Sequence, residues 1–402
     1  MWTHTRHRFF SACVVWLVVL QTSVSSLSDV CNVEPFRGKL PKVFVYDSTR
    51  LFTEPWFPPW SEIESSFMNI RHSELYVNRI SQADVAFFPV FLASFYYKNL
   101  NQAYRGEELD SLAWSMQYRR HNVLLQRAWR RWSKTLAPLS VRSKVKHFVV
   151  FSYVCYRCDF RFIPRDIQIV TVETFGSMGA PFDIRYDNGC YDRCITIPYA
   201  LRKNARLLFS TNFTVSEYSA RDCLISFIGD YNRSTSVKRF RTNALTKLPA
   251  SMRGQECLVT DLHEEADILE QRAIRLYNRS KFSLQLPGDT PTRAGVYQSI
   301  IMGCTPVVFE SSFAVYANLF RGIFGAEVGK MVLQIPDSLW LLNADPSMIA
   351  DIISNASSSS TVRERMSLME SLKRFMVWEQ SSCNSFNISD PVLLVAQVLA
   401  FG

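Results

Sequence analysis

Residues 281–310 combine an apolar strand, a Pro-Gly break and a helix in the order that creates an anion-binding turn. The apolar run 282–286 predicts a strand, and the segment 292–302 predicts a helix. A helix that begins at the carboxyl end of a parallel strand directs free N–H groups and the positive end of its dipole at a ligand. Arg293 stands in the first helical turn, where its charge is unfavourable unless an anion or Asp289 compensates it. These residues alone leave two interpretations open: a diphosphate-binding site, or a surface Arg293–Asp289 pair on an ordinary loop.

The composition is that of a large folded chain with a basic charge balance. The chain has 402 residues, of which 48% are hydrophobic and 20% are charged, and its formal net charge is +9. This length suits two domains, and the apolar content excludes general disorder. The positive balance fits phosphate, polyanion or acidic-glycan partners. Nucleic acid is not favoured, because the sequence has neither zinc-finger spacing nor an RNA-binding aromatic signature.

The first 28 residues have the pattern of a secretory targeting segment. Basic residues at 6–8 precede an apolar run at 9–20, and a Ser-rich stretch follows at 23–28. The run is short for a bilayer span, which needs roughly 20 residues, so a cleaved signal peptide is the first interpretation. An uncleaved signal anchor, which would hold the N-terminus in the membrane, is the second, and a buried core helix is the third. Either of the first two predicts a secretory-pathway location in the Golgi lumen.

Sequons and cysteines agree with a lumenal location. Five Asn-x-Ser/Thr sites could accept N-glycans in that compartment. They are Asn212, Asn232, Asn278, Asn355 and Asn387. Cys155-x-x-Cys158 and Cys190-x-x-x-Cys194 are close pairs that we expect to be disulfide partners, with their connectivity left open. A zinc site built from these four cysteines is the less favoured alternative.

Strand and helix patterns alternate along the rest of the chain. In the N-terminal half, strands are predicted at residues 42–46, 83–90, 147–151, 167–172 and 194–198, with helices at 63–80 and 109–135. In the C-terminal half, strands are predicted at 224–229, 282–286, 305–309 and 331–335, with helices at 236–247, 292–302, 346–353 and 363–378 and an exposed Ser-rich loop at 355–361. This alternation is typical of an α/β fold with largely parallel sheets.

The alternation occurs twice, which predicts two doubly wound, Rossmann-like domains that face a cleft. We place the first domain at residues 29–204 and the second at 205–375. Residues 376–402 form a C-terminal tail, for which packing back on the first domain is one option. Ligands of open parallel sheets bind beyond the carboxyl ends of the strands, so we expect the site in the cleft.

A longer pattern runs through the same anion-binding segment. Its positions are Leu284-Gln285-Leu286, Gly288-Asp289-Thr290, Thr292-Arg293, Ser299, Gly303-Cys304 and Pro306-Val307. This pattern resembles the donor-binding motif of the exostosin family, glycosyltransferase family 47, and is most similar to the branch of plant and algal cell-wall galactosyltransferases and related enzymes. Weaker similarity extends over residues 42–310 and includes the element Phe227-x-Gly229. The resemblance implies a GT-B fold, an inverting reaction, and a UDP-sugar or similar donor.

The resemblance also implies which residues bind the donor. Arg293, with Arg233 or Arg239, would neutralise the leaving diphosphate with the help of nearby backbone N–H groups. The expected donor-binding residues are Arg293, Arg233, Arg239, Gly288, Asp289, Thr290, Thr292 and Gln298. Because arginine and a helix end would supply the positive charge, and the sequence has no clear Asp-x-Asp motif, we expect neither a metal nor another cofactor.

The base that takes the proton of the acceptor hydroxyl is expected in the first domain. Glu173, which directly follows the predicted strand 167–172, is preferred, and His147 is the second catalytic candidate. Asp183 and Asp187 in the following loop are further possibilities. Glu173 could instead be a surface acid, and His147 could instead be a core histidine.

Acceptor contacts are predicted for aromatic residues in a loop of the first domain. Trp56 and Trp60 could stack on the sugar rings of a glycan or glycoprotein acceptor, or could pack on the domain surface. Two residues depart from the family pattern, because Gln298 and Lys146 occupy positions where the family carries acids. These departures keep a second function class open: a catalytically inactive lumenal glycan-binding or partner subunit on the same fold.

Overall fold

The structure of the chain is a computed structural model. It describes residues 40–47, 62–90, 111–152, 160–172, 193–200, 214–229, 256–259, 266–286, 293–322, 324–336, 347–357, 359–378 and 389–402.

The described N-terminal residues form one parallel sheet. Its strands are β1 (Val43–Val45), β2 (Tyr76–Val77), β3 (Val85–Phe87), β4 (Lys146–Phe151), β5 (Ile167–Thr171) and β6 (Cys194–Thr196). They lie in the order β2-β1-β3-β4-β5-β6, and each neighbouring pair is parallel. The strands are almost continuously apolar and buried, as expected where both faces of a parallel sheet are covered.

A second parallel sheet follows in the C-terminal half. Its strands are β7 (Cys223–Ile228), β8 (Glu256–Val259), β9 (Ser280–Leu284), β10 (Thr305–Phe309) and β11 (Leu333–Ile335). Their order is β11-β10-β9-β7-β8, again with parallel neighbours. The predicted architecture of two parallel α/β units is therefore confirmed.

Helices connect these strands. The described α-helices are α1 (Glu62–Met68), α2 (Ser111–Trp132), α3 (Leu139–Arg142), α4 (Val215–Ser219), α5 (Ala266–Arg279), α6 (Ala294–Ile301), α7 (Glu310–Ala317), α8 (Gly325–Met331), α9 (Ser347–Ala356), α10 (Ser359–Leu372) and α11 (Asp390–Phe401). Short 3-10 helices lie at Asn69–His72, Ile80–Gln82, Ser133–Thr135, Phe320–Gly322 and Lys373–Met376. None of the described helices is both long and apolar enough to cross a membrane.

Two local predictions are wrong. The helix predicted over 63–80 continues only as a 3-10 turn to His72, because Ser73 is extended and its hydroxyl bonds the carbonyl of Ile70 at 2.8 Å. The residues that follow form β2, on the edge of the first sheet. The exposed loop predicted over 355–361 is mostly helical, since α9 ends at Ala356 and α10 begins at Ser359.

The thiol state of three cysteines is given by the structure. Cys194 and Cys223 are disulfide-bonded, whereas Cys304 is a free, buried thiol. Cys155, Cys158 and Cys190 lie outside the described residues.

The two halves of the chain share packed contacts. The Trp378 indole N–H donates to the carbonyl of Pro198 at 3.1 Å, and the carbonyl of Trp378 accepts from the Ser66 hydroxyl at 3.0 Å. A parallel bridge joins Thr196, at the end of β6, to Leu319. Helix α11 packs against strand β3 of the first sheet. Since one core cluster contains residues from both halves, the predicted domain boundaries stay a prediction.

Arg221 holds helix α6 and strand β9 together at their far end. Its guanidinium donates to the carbonyls of Ser280 at 2.7 Å, Met302 at 2.7 Å and Gly303 at 2.9 Å. Gly303 has φ of 61°, the left-handed conformation expected of the glycine that ends a helix. The Arg221 side chain thus satisfies carbonyls that the end of α6 leaves without helical partners.

Replacing Arg221 should destabilise the C-terminal half. We expect Arg221→Met to lower the free energy of unfolding by about 2–3 kcal/mol, because several half-buried carbonyls lose a charged donor. Urea denaturation monitored by fluorescence measures the change. Arg275→Met on the exposed face of α5 is the matched control and should change stability little. Equal effects of the two substitutions would contradict this role of Arg221.

Candidate functional site

Helix α6 begins at Ala294 with Arg293 as its N-cap, within two residues of the start predicted from the sequence. Arg293 is extended, with φ of −141° and ψ of 138°, and its own side chain makes no capping hydrogen bond. The backbone N–H of Arg293 donates to the hydroxyl of Tyr316 at 2.9 Å. The first N–H groups of a helix have no partners within the helix, and an anion is a favourable partner for them.

The Arg293 guanidinium bridges the carboxyl ends of two neighbouring strands. Its Nη2 donates to the carbonyl of Ile228, the last residue of β7, at 2.8 Å. Its Nη1 donates to the carbonyl of Leu286, just beyond β9, at 3.1 Å. The side chain is half-buried, so its position is set by the sheet rather than by solvent. This is the end of a parallel sheet where ligands bind.

The Arg293 guanidinium retains N–H donors that could bind a ligand. A guanidinium has five N–H donors, and the two contacts to carbonyls among the described residues use two of them. None of the ion pairs among the described residues includes Arg293. Asp289 lies outside the described residues, so the alternative of an Arg293–Asp289 pair stays open.

Phe227 and Gly229 shape the space around this guanidinium. The Arg293 Cζ lies 5.7 Å from the centroid of the Phe227 ring, within the range of a cation–π contact. A Cβ at position 229 would lie 2.6 Å from the Phe227 Cζ and 3.3 Å from the Arg293 Nη2. The Phe227-x-Gly229 element therefore has a physical reason: one residue supports the cation and the other leaves room for it.

A buried polar cluster braces α6 against the sheet. The Gln285 amide donates to the hydroxyls of Ser299 at 3.1 Å and Tyr277 at 3.3 Å. Ser283 donates to the Ser299 hydroxyl at 2.7 Å, and Ser299 donates to the carbonyl of Gly295. Burial raises the pKa of Tyr277, so its hydroxyl stays protonated. These contacts hold α6 against β9.

Gln298 bonds a carboxylate on the neighbouring helix. Its amide N–H donates to Oε1 of Glu270 on α5 at 3.2 Å, and Glu270 is buried. An acid therefore lies beside the position where the sequence has glutamine, although it belongs to another helix. The carbonyl oxygen of the Gln298 side chain remains the acceptor on that residue.

His147 is enclosed in the first sheet. The Tyr46 hydroxyl donates to its Nε2 at 2.8 Å, and its Nδ1 N–H donates to the carbonyl of Val145 at 2.7 Å. Burial lowers the pKa of His147, which keeps the ring neutral in this arrangement. The residue is fully buried, and both ring nitrogens are engaged, so the structure favours the core-histidine alternative over the catalytic one.

The other predicted site residues divide by whether the structure describes them. Gln298 lies on helix α6 and Arg293 is the N-cap of that helix, whereas His147 lies on strand β4 of the first sheet. The glycosylation candidates Asn278, at the end of α5, and Asn355, near the end of α9, are both exposed. Outside the described residues lie Glu173, Arg233, Arg239, Gly288, Asp289, Thr290, Thr292, Trp56, Trp60, Asn212, Asn232 and Asn387.

The sequence alone did not predict the residues that position Arg293 and helix α6. Tyr316 is 23 positions further along the chain, and nothing in its local pattern indicates a contact with a helix start. Gln285 and Ser299 stand in the motif, yet their mutual hydrogen bond depends on how α6 crosses β9. The sequence pattern that could have indicated Gln285 and Ser299 is a polar residue inside an otherwise apolar strand or helix, because such a residue usually makes a buried hydrogen bond.

Comparison with known proteins identifies relatives of this chain. The family described as Exostosin GT47 domain matches residues 37–317. The chain is 32% identical over 98 residues to xyloglucan-specific galacturonosyltransferase 1 of Arabidopsis thaliana, a match that covers 24% of this chain and 14% of that protein. It is 27% identical over 180 residues to probable xyloglucan galactosyltransferase GT13 of the same plant, which covers 44% of this chain and 37% of that protein.

These matches reach only part of the relatives, since the chain aligns with well under half the length of either plant protein. Among solved structures, the chain is similar to the glycotransferase of kitacinnamycin at 11% identity and a TM-score of 0.36, over 84% of this chain and 97% of that one.

The buried polar cluster around Gln285 predicts that position 295 tolerates no side chain. A Cβ there would lie 2.4 Å from the Gln285 Oε1 and 2.8 Å from the Tyr277 hydroxyl, both in a packed interior. We expect Gly295→Ala to lower the free energy of unfolding by about 1–3 kcal/mol, as overpacking does. Gly329→Ala in α8 is the matched control, because its Cβ would meet the nearest atom at an ordinary 3.5 Å. Chemical denaturation of both variants measures the difference. Unchanged stability of Gly295→Ala would contradict tight packing of the buried polar cluster against α6.

The burial of His147 predicts a pH dependence of stability. Its pKa in the folded protein is lowered from 6.5, so below pH 6.5 the unfolded chain binds a proton that the folded chain does not. Stability should therefore fall as the pH drops through 6.5, and His147→Gln should reduce that fall. Urea denaturation at pH 7.5 and pH 5.5 measures it. The exposed His72→Gln is the control, and an identical pH response in all three proteins would exclude this assignment.

Proposed function

The chain belongs to the exostosin GT47 family, and on that premise we propose that it is an inverting glycosyltransferase that uses a UDP-sugar or similar donor. The acceptor is a glycan or glycoprotein in the secretory pathway. The observation that carries the proposal is the position of Arg293, half-buried at the carboxyl ends of β7 and β9 and at the start of α6.

This position suits the leaving group of the proposed reaction. Breaking the bond between a sugar and a nucleoside diphosphate releases negative charge on the diphosphate, which must be stabilised as it develops. The N–H donors of Arg293 that its two carbonyl contacts leave, together with the first N–H groups of α6, would bind this charge. Arg233 or Arg239 would add a second positive charge. On this proposal the nucleotide-sugar is a co-substrate, and no metal ion is required.

Rigid placement of the donor is the second requirement of the reaction. The Gln285–Ser299–Tyr277 cluster holds α6 against the sheet, and the Tyr316 hydroxyl bonds the backbone N–H of Arg293. Hydrogen-bond donors of the protein that are held in place before the ligand arrives need little reorganisation during the reaction. This preorganisation is the source of their stabilisation of developing charge.

The proposed base is Glu173. In the sequence it follows the last residue of β5 by two positions, and ligands of parallel sheets bind beyond the carboxyl ends of the strands. Full burial and two hydrogen bonds make His147 the weaker of the two candidates. Trp56 and Trp60 remain proposed acceptor contacts.

The choice of donor sugar starts from the names of the relatives. The two plant proteins are named for galacturonosyl and galactosyl transfer to xyloglucan, so UDP-galacturonic acid and UDP-galactose are the first donors to test. The proposed lumenal location is supported by the targeting pattern of residues 1–28 and by the exposure of two sequons, Asn278 and Asn355. Attachment by the N-terminus is part of the same proposal.

A second candidate function is a catalytically inactive glycan-binding or partner subunit. It is favoured by Gln298, which offers a neutral amide where the family carries an acid. Glu270 argues against it, because a carboxylate bonded to Gln298 still places an acid at that point. Release of UDP from a donor by the purified chain separates the two functions, since an inactive subunit releases none.

Removing Arg293 should abolish transfer. We expect Arg293→Ala to lower the rate by at least about a hundredfold, as loss of a charge-stabilising donor does, and to raise the concentration of UDP needed for half-maximal binding. Arg293→Lys should retain part of the activity, because the charge stays but the fork of donors is lost. UDP release and product formation measure both variants.

The control for Arg293 is Arg275→Ala on the exposed face of α5, which should leave the rate unchanged. Thermal melting separates catalytic loss from unfolding, since Arg293 also bonds two carbonyls of the sheet. Full activity in Arg293→Ala would remove this residue from the proposed mechanism. The anomeric configuration of the product, read by NMR, tests inversion independently.

A further inference from the structure

A row of basic side chains runs along the outward face of α2 and the turn after it. Arg127, Arg130, Arg131 and Lys134 are all exposed. Their spacing of three, four and seven residues places them on one side of a helix. At 1.5 Å per residue the row extends over about 10 Å. We call these four residues the basic row.

The opposite side of the same helix is anchored in the core. Leu125, Trp129 and Trp132 are buried, and the Trp129 ring lies 5.8 Å from Phe88 and 6.3 Å from Phe162. The helix therefore cannot rotate to hide its charged side. Arg130 and Arg131 also stand in its last turn, where cations are favourable, but the helix dipole does not account for Arg127.

The charges of the basic row are not compensated within the described chain. None of the four takes part in the ion pairs formed among the described residues. The sequence has no Asp or Glu from residue 111 to residue 158, so no acidic neighbour along the chain is at hand. A surface of this kind has a locally positive potential that attracts an extended polyanion.

We propose that the basic row docks an acidic polysaccharide, a polymer of uronic acid residues. Guanidinium groups bind carboxylates through two parallel hydrogen bonds, and three of the four residues are arginine. A polyuronate presents carboxylates at regular intervals along an extended chain, which matches a straight row on a rigid helix. The inference rests on the proposed function in one respect: it makes this polymer the carrier of the acceptor.

Two other polyanions fit the surface less well. A membrane-binding helix inserts large apolar side chains, but along this helix Val123 is the one exposed large hydrophobic residue among the described positions. Single-stranded nucleic acid is held by exposed aromatic rings that stack on bases, whereas Trp129 and Trp132 are buried.

The test compares binding of the full chain to polygalacturonate and to the fully methyl-esterified form of the same polymer. We expect binding to polygalacturonate, negligible binding to the neutral ester, and weakening as salt concentration rises. The combined substitutions Arg127→Gln, Arg130→Gln, Arg131→Gln and Lys134→Gln should weaken binding about tenfold or more, since four modest ion pairs are lost together. Biolayer interferometry on immobilised polymer measures each case.

A matched control removes the same charge elsewhere. Arg79→Gln, Arg165→Gln, Arg275→Gln and Arg363→Gln are exposed positions whose combined change also lowers the formal net charge from +9 to +5 (nine minus four). This variant should bind polygalacturonate nearly as well as the natural chain. Replacing the three arginines of the row by lysine should give intermediate binding, because charge is retained without the fork of donors.

Several outcomes would overturn the proposal. One is equal weakening by the control variant, and another is equal binding of the neutral ester. Tighter binding to phosphatidylserine vesicles or to single-stranded DNA would assign the row to a different polyanion. UDP release by the basic-row variant should be unchanged. If the natural chain binds polygalacturonate but releases no UDP, the proposed function is contradicted while the docking surface stays in place. Melting curves of all variants verify that they are folded.

Discussion

The guanidinium group of Arg293 connects the parts of the C-terminal unit that a ligand would meet. It bonds the last carbonyl of β7 and a carbonyl just beyond β9, and its own backbone begins α6. A cation at the positive end of a helix is unfavourable by itself. The arrangement stays favourable because strand carbonyls and the face of Phe227 surround the charge while the remaining N–H donors are left for an anion.

Both ends of α6 are held by hydrogen bonds from outside the helix. At its start, the Tyr316 hydroxyl accepts from the backbone N–H of Arg293, and further along the helix Gln285 donates to Ser299. At its end, Arg221 binds the carbonyls of Met302 and Gly303. A helix fixed in this way can present its N–H groups in a constant direction, which is what stabilisation of developing charge requires.

Local sequence patterns predict the strands and the start of α6 well. They fail where contacts between residues distant in the sequence determine the local structure. Apolar runs such as 147–151 and 305–309 are strands because both faces of a parallel sheet are buried. The segment after Ser73 leaves the helical pattern because it joins the edge of a sheet. In the same way, Arg293 and Gln298 could be singled out from their motif. Tyr316 and Glu270 could not, because their partners lie 23 and 28 residues away.

Arg293 and the start of α6 are proposed to bind the diphosphate of a nucleotide-sugar, and a crystal structure of the chain with UDP tests this binding site. We expect phosphate oxygens within about 3 Å of the Arg293 guanidinium and of N–H groups in the first turn of α6. A diphosphate bound elsewhere, with Arg293 in contact with the two strand carbonyls alone, would contradict it.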